Sequence, residues 1–422
     1  MKKWISLLVL FALIAGLAAG AAVRAYAPEL TGAAEIIEAF GSLWLNTLRM
    51  TVVPLIVALL ITGIASVSDT AKTGGLVLRA IVLFTILIFF SATFSVIATQ
   101  AWLAAWPLDR AASDSFIAAI ADQAVVVREP PTFVSWLQSL APTNPVTAAA
   151  NDNILALAVF TIFFAFAVTQ LKPELREPIV TFFRGVSEAM IVIVHWVLLA
   201  GPIGVFALAL GVGLHTGLSA AGVIFQYVVV VTGVLAASTV LAWLIAILFS
   251  GQPIGRFTAA ATPVWAIAAS TQSSLASLPA MLEAALRGLR IPSRVADVIL
   301  PLAVAIFRFT SPVGNLAVCF FVAHLYGIEP SLMQILGAVF VAYAVSIAAV
   351  GLPGQVSFIA SIAPICIALG VPTEVLGILI AVEVIPDIFR TLGNVTGDLA
   401  ATSILARGEP REVETPEPVN PA

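Results

Sequence analysis

Four ionisable side chains and an amide recur at helical spacing near the C-terminal end of this chain. Glu383, Asp387, Arg390, Asn394 and Asp398 follow one another at steps of four, three, four and four within I-L-I-A-V-E-V-I-P-D-I-F-R-T-L-G-N-V-T-G-D. At about 100° per residue they fall within an arc of roughly 80° of one helix face, with Thr391 on an adjoining strip. The remaining faces carry mostly Ile, Val, Leu and Phe. Ionisable residues inside an apolar helix turn toward a bundle interior or a cavity and mark substrate or ion pathways. A purely structural stripe is the alternative, in which Asp387 and Arg390 neutralise each other, but three acids exceed what one arginine needs for that. Pro386 frees the carbonyl of Val382 and predicts a local bend.

A second cation stands apart from the stripe. In A-I-F-R-F-T-S-P, residues 305 to 312, Arg308 is the only charged residue between Asp297 and Glu329. A cation there is costly unless something pairs with it, and its central position argues against snorkelling to water.

The elements that must position these groups are membrane helices. The 422 residues are 61% hydrophobic and 10% charged, with mean hydropathy +1.09. That balance excludes a soluble domain, which must show water a charged surface. Uncharged runs extend from Ala80 to Leu108, Ala189 to Gly255 and Pro330 to Thr373. A span needs about 20 mostly apolar residues, so the chain is an all-α, polytopic membrane protein. The early spans are expected at 4–26, 36–66, 76–106, 150–171, 186–214 and 221–250. The N-terminal M-K-K-W-I-S-L-L-V-L resembles a signal peptide, but the apolar run from Trp4 to Val23 is too long for one and reads as the first span. The Pro- and Glu-rich residues 408–422 read as a disordered tail. Cys319 and Cys366 imply neither a disulfide framework nor a metal knuckle. His195, His215 and His324 show no ligand spacing.

Basic clusters at Lys2/Lys3, Lys72/Arg79, Lys172/Arg176/Arg184, Arg256, Arg287/Arg290/Arg294 and Arg407/Arg411 place those segments, and both termini, on the cytoplasmic side of the cell's inner (plasma) membrane. Arg256 and the Arg287–Arg294 group flank one apolar stretch and demand the same side, so that stretch must enter and return. Its middle, A-S-T-Q-S-S-L-A-S-L-P, predicts a re-entrant hairpin over about 257–291. A second, of opposite orientation, is expected over about 332–370 around A-A-V-G-L-P-G-Q. Polar backbone at membrane depth needs protein or a water-filled cavity around it, and paired interrupted segments point to a transporter's binding site.

These residues resemble the dicarboxylate/amino acid:cation symporter family, which includes archaeal aspartate transporters and mammalian glutamate transporters. The likeness covers nearly the whole chain. It is carried by M-T-V-V-P-L (50–55), P-T-N-P (142–145), G-P-I-G-V-F-A-L (201–208), S-S-L-A-S-L-P (273–279), G-L-P-G (351–354) and R-T-L-G-N-V-T-G-D (390–398). It implies eight spans, two opposed hairpins in inverted repeats, and a homotrimer working as an elevator. The scaffold would be residues 1–75 and 108–215, and the transport domain 76–107 and 216–407. By that likeness Asp387 would bind a substrate amino group and Arg390 a side-chain carboxylate. Asn394, Ser273 and Ser274 would hold the main-chain carboxylate, with Leu352, Pro353 and Gly354 as the outer gate and Ser311 and Thr391 lining the site. Arg390 favours a small anionic amino acid or dicarboxylate, because a guanidinium fits a carboxylate bidentately.

One segment departs from the family. The seventh span there unwinds at Asn-Met-Asp-Gly-Thr, whose Asn and Asp supply sodium ligands; here F-R-F-T-S (Phe307 to Ser311) stands in that place, and no Asp or Asn occurs from Ala303 to Gly314. Sodium, a hard cation, wants oxygen ligands. Asp398 and Asn394 remain without the partner half of the site, and Glu383 replaces the more usual Asp. Arg308 is therefore expected to act as a tethered replacement cation beside Asp398 and Glu383; a rival role is to supplement Arg390 on a doubly charged anion. No metal site is assigned, sodium is doubtful as the coupling ion, and protons through Glu383, or no coupling ion at all, are the substitutes. The alternatives are a sodium- or proton-coupled symporter of a different amino acid, or an anion channel or transport-inactive sensor on the same scaffold. A membrane enzyme is disfavoured, since no H-E-x-x-H or G-x-S-x-G motif is present. The expected partners are the lipid bilayer and the small-molecule substrate, with no nucleic acid.

Overall fold

Long apolar runs fold as helices here because a backbone facing hydrocarbon must satisfy its own N–H and C=O groups. In a computed structural model, residues 3–71, 75–118, 141–151, 154–216, 219–348 and 354–407 are described, and every regular element among them is helical. In chain order these are α1 (Lys3–Tyr26), α2 (Thr31–Arg49), α3 (Val52–Ala71), α4 (Gly75–Ala105), α5 (Arg110–Ala118) and α6 (Pro145–Ala150). There follow α7 (Ile154–Thr169), α8 (Pro173–Leu199), α9 (Gly201–Thr216) and α10 (Ser219–Phe249). The last third holds α11 (Ile254–Thr271), α12 (Leu278–Glu283, continued by a π turn), α13 (Ser293–Ile306), α14 (Ser311–Leu325), α15 (Leu332–Ala348), α16 (Gly354–Leu369), α17 (Leu376–Leu379) and α18 (Val384–Leu405). The expected disordered tail lies outside the described residues.

By length and apolarity Gly75–Ala105, Ala221–Phe249 and Ser293–Leu325 can each cross a bilayer, and Phe11–Tyr26 with Pro28–Thr47 qualify as a pair bent by 120°. The first, third and sixth expected spans match α1, α4 and α10 closely. Others are corrected. The span expected at 36–66 is two helices parted at Met50 and Thr51, where Pro54 lacks the N–H that would bond residue 50. The span expected at 186–214 starts earlier, at Pro173, and parts at Ala200, just before Gly201 and Pro202. The last span is also interrupted. Rather than bending α18, Pro386 lies in its first turn, where no N–H is needed, and turns separate α17 from Val384. The carbonyl of Val382 accepts from Ile385 N at 3.2 Å instead.

The stretch expected as the first hairpin folds as α11, a turn at residues 272–277, and α12, with the two arms packed together. Gln272 takes a left-handed φ of 53° to end the first arm. The second pair, α15 and α16, also packs arm on arm; its turn, residues 349–353, lies outside the described residues. Helix α18 runs through the interior, against α4, α10, α11, α13 and α14. Its Val395, Leu399, Ala400 and Ala401 join one continuous core with Phe84, Ala242, Phe257, Leu300 and Phe307.

At the opposite end of the chain order, α1 and α9 touch backbone to backbone. A Cβ on Gly20 would stand 2.1 Å from Leu210 O, and one on Gly213 2.3 Å from Leu17 O. Small residues four apart, Gly16 and Gly20, open this close approach. Gly20→Val is therefore expected to force the helices apart. Overpacking of this kind costs about 1–3 kcal/mol or more, and a lowered unfolding temperature in detergent, with Gly32→Ala as the unaffected control, checks it; a Cβ at Gly32 meets nothing.

Candidate functional site

The stripe on α18 is buried along its whole length. Glu383 is 0% exposed, Asp387 5%, Arg390 6%, Asn394 3% and Asp398 1%. Charges in such a place must be paired, and Arg390 finds three partners. Its Nη2 donates to Glu383 Oε1 at 2.7 Å and its Nη1 to Asn315 Oδ1, on α14, at 3.0 Å. Its Nε lies 3.7 Å from Asp387 Oδ1, too far for a hydrogen bond. The guanidinium rests on Gly314, where any Cβ would come within 2.6 Å of Nη2. Glu383 is held from its other side by Tyr227 on α10, whose hydroxyl donates to Oε2 at 3.2 Å. The local self-pairing of Asp387 with Arg390 is thus secondary to the Glu383 contact.

Between α13 and α14 the helix opens at residues 307–310, and this open segment is pinned to α18. Thr310 donates from its backbone N (2.9 Å) to Asn394 Oδ1, and its hydroxyl bridges that oxygen (2.8 Å) and the carbonyl of Arg390 (2.7 Å). Phe309 packs against Gly397, where an added Cβ would stand 2.9 Å from the Cβ of Phe309. Phe307 stacks on Phe84 with ring centroids 4.5 Å apart. Arg308 is carried between these two buried rings and is itself half-buried. The charges that act on it are Asp387 first and Asp398 after it, opposed by Arg390. Glu383 belongs instead to Arg390 and Tyr227. Asp398 is buried, and neither of its oxygens accepts a hydrogen bond from the described residues.

The first hairpin's turn reaches the head of this stripe, with Gln272 Nε2 donating to Val384 O at 3.3 Å. Ser273 and Ser274 are half-buried there. Ser273 Oγ accepts from Ala276 N at 3.2 Å and its carbonyl accepts from Ser277 Oγ at 3.0 Å, which shapes the turn. Lower down, Trp265 Nε1 donates to Thr396 Oγ1 at 2.8 Å. Ser311 is buried in the first turn of α14, and Thr391 Oγ1 bonds back to Asp387 O at 2.9 Å. Of the expected gate, Leu352 and Pro353 lie outside the described residues, and Gly354 begins α16. Among the described residues no group of three or more His, Cys, Asp and Glu is arranged to hold a metal ion.

Tyr227 and Asn315 were missed by sequence reasoning. A polar side chain in an otherwise apolar span signals a bonded partner, which flags Asn315 but names no partner for it; Tyr227 lies 156 positions from Glu383. Two buried donors near Arg390, its own Nε and Asn315 Nδ2, have no acceptor among the described residues. Each such orphan costs about 1–3 kcal/mol, so the arrangement suits an oxygen-bearing ligand.

Comparison with known proteins gives a consistent result. The description of the sodium:dicarboxylate symporter family matches residues 5–408. The proton/glutamate-aspartate symporter of Escherichia coli is 25% identical over 405 residues, covering 95% of this chain and 92% of that protein. The proton/sodium-glutamate symport protein of Bacillus subtilis is 27% identical, covering 90% and 88%. The human neutral amino acid transporter B(0) is 26% identical, covering 94% and 79%.

The ion pair at the centre sets a stability test. Arg390→Ala leaves Glu383 buried without its countercharge, and removing one partner of such a pair costs about 3–5 kcal/mol. Arg390→Ala with Glu383→Gln is expected to recover most of the lost unfolding temperature in detergent; no recovery would mean the pair is not what holds these side chains.

Proposed function

Since the chain belongs to the sodium:dicarboxylate symporter family, a family of transporters and not of enzymes, we propose that it is a secondary active transporter whose resident Arg308 takes the place of bound sodium. The supporting observation is the state of the segment that faces Asp398. Phenylalanine rings occupy positions 307 and 309, Asn394 Oδ1 accepts from Thr310 N and shares the Thr310 hydroxyl with the carbonyl of Arg390, and Arg308 lies in the field of Asp387 and Asp398. A hard cation needs oxygen ligands, and here one oxygen is already used while the charge it would supply is covalently attached.

The proposed substrate is a small anionic amino acid or dicarboxylate. Asp387 would meet an amino group, Arg390 a carboxylate, and Asn394 with the Ser273/Ser274 turn the main-chain carboxylate. Arg390 is already balanced by Glu383 at 2.7 Å, so an acidic side chain adds one negative charge to a neutral pair. A proton on Glu383 restores the balance, which makes proton symport the coupling favoured by this geometry. The name of the Escherichia coli relative includes protons with glutamate and aspartate, and that of the Bacillus subtilis relative includes both protons and sodium with glutamate. The working unit would be a homotrimer in the plasma membrane with eight spans, two re-entrant hairpins, both termini cytoplasmic, and a transport domain (residues 76–107 and 216–407) moving like an elevator against the scaffold.

Uptake of labelled aspartate and glutamate into proteoliposomes tests this reading. Replacing sodium by choline is expected to change the initial rate by less than about twofold, while Glu383→Gln abolishes stimulation by an inward proton gradient. Uptake that stops without sodium would refute it.

A further inference from the structure

Asn315 faces the guanidinium in a way that chemistry dictates. Arginine has no acceptor atom, so the amide must turn its oxygen toward it, and Arg390 Nη1 meets Asn315 Oδ1 at 3.0 Å. The amide nitrogen therefore points away from Arg390. Asn315 is 2% exposed, and its Nδ2 has no acceptor among the described residues. On the same guanidinium, Nε is also without an acceptor, since Asp387 Oδ1 stands at 3.7 Å. Buried donors in folded proteins are nearly always satisfied. Two donors around one guanidinium that find no acceptor among the described residues mark a place for the oxygen atoms of a ligand.

We propose that Asn315 is a specificity-determining residue of the transport site: its oxygen orients Arg390, and its amide N–H donates to a side-chain oxygen of the substrate. This rests on the transport reading above. A carboxylate and a carboxamide both offer such an oxygen. The donor therefore selects an oxygen-tipped side chain, and Arg390 with Glu383 decides its charge. Asn315→Asp separates the two roles, because it is nearly isosteric, keeps an oxygen toward Arg390 and turns the donor into an acceptor.

The experiment compares proteoliposome uptake of aspartate, glutamate, asparagine and glutamine by wild type, Asn315→Asp and Asn315→Ser, with unfolding temperature as the fold control. Asn315→Asp is expected to raise KM for the acidic substrates about tenfold or more, the usual weight of a hydrogen bond to a charged group, with the maximal rate within about threefold. Its KM for the amides changes less, because their NH2 can donate to the new carboxylate. Asn315→Ser, which keeps a donor, retains the wild-type acid-to-amide ratio. An Asn315→Asp ratio within about twofold of wild type overturns the proposal. If that variant does not fold, a Asn315→Ala variant with an unchanged acid-to-amide ratio and unchanged KM overturns it equally. Wild type that takes up none of the four would instead overturn the transport reading itself.

Discussion

A carboxylate and a guanidinium 2.7 Å apart, both almost fully buried, constrain everything around them. Removing two charges from water costs several kcal/mol each, and only close geometry with further hydrogen bonds offsets it. Glu383 and Arg390 meet that demand with Tyr227 on one side and Asn315 on the other. Three helices, α10, α14 and α18, are thereby fixed in rotation relative to one another. The price is specificity in sequence: Gly314 must stay small for the guanidinium to lie flat, and Tyr227, wholly buried, must find a place for its hydroxyl.

The same demand explains why the helices open where they do. A continuous α13–α14 helix would engage the N–H of Thr310 in its own ladder. Opened at residues 307–310, the chain presents that N–H and the Thr310 hydroxyl to Asn394, and buries the rings of Phe307 and Phe309 with their centroids 6.2 Å apart. Backbone irregularity at this depth is tolerated because protein surrounds it. The opening thus does two things at once: it ties α13 and α14 to α18, and it carries Arg308 into the field of two acids on the stripe. On the reading proposed above, a cation that never dissociates needs no gradient, and protons would be the currency that drives an acidic substrate past a neutral Glu383–Arg390 pair.

Much of this was legible in the residues themselves. The spacing from Glu383 to Asp398 identified one helix face, and that face is buried. Arg308 stood out as a charge without local compensation, and it does lie near acids of the stripe. Flanking arginines demanded a turn between 256 and 287, and α11 and α12 fold with one there. What could not be read was the choice of partner. Three acids compete for Arg390, and only the approach of α10 and α14 selects Glu383. The breaks at Met50 and Ala200 escaped notice because hydropathy continues across them; the nearby Pro54 and Pro202 carried the signal. The backbone contact of Gly20 with Leu210 depends on two helices 190 positions apart along the chain meeting at that level, although Gly16 and Gly20 advertised a close-packing face.

The central claim is that Arg308 does for Asp398 what a bound ion does elsewhere in the family. A double-mutant cycle on substrate affinity, with Arg308→Gln, Asp398→Asn and both together, measures it most directly. The account predicts that the two substitutions are coupled by about 1 kcal/mol or more, the double variant binding better than the singles added together imply. Strict additivity, with coupling below about 0.3 kcal/mol, would contradict it.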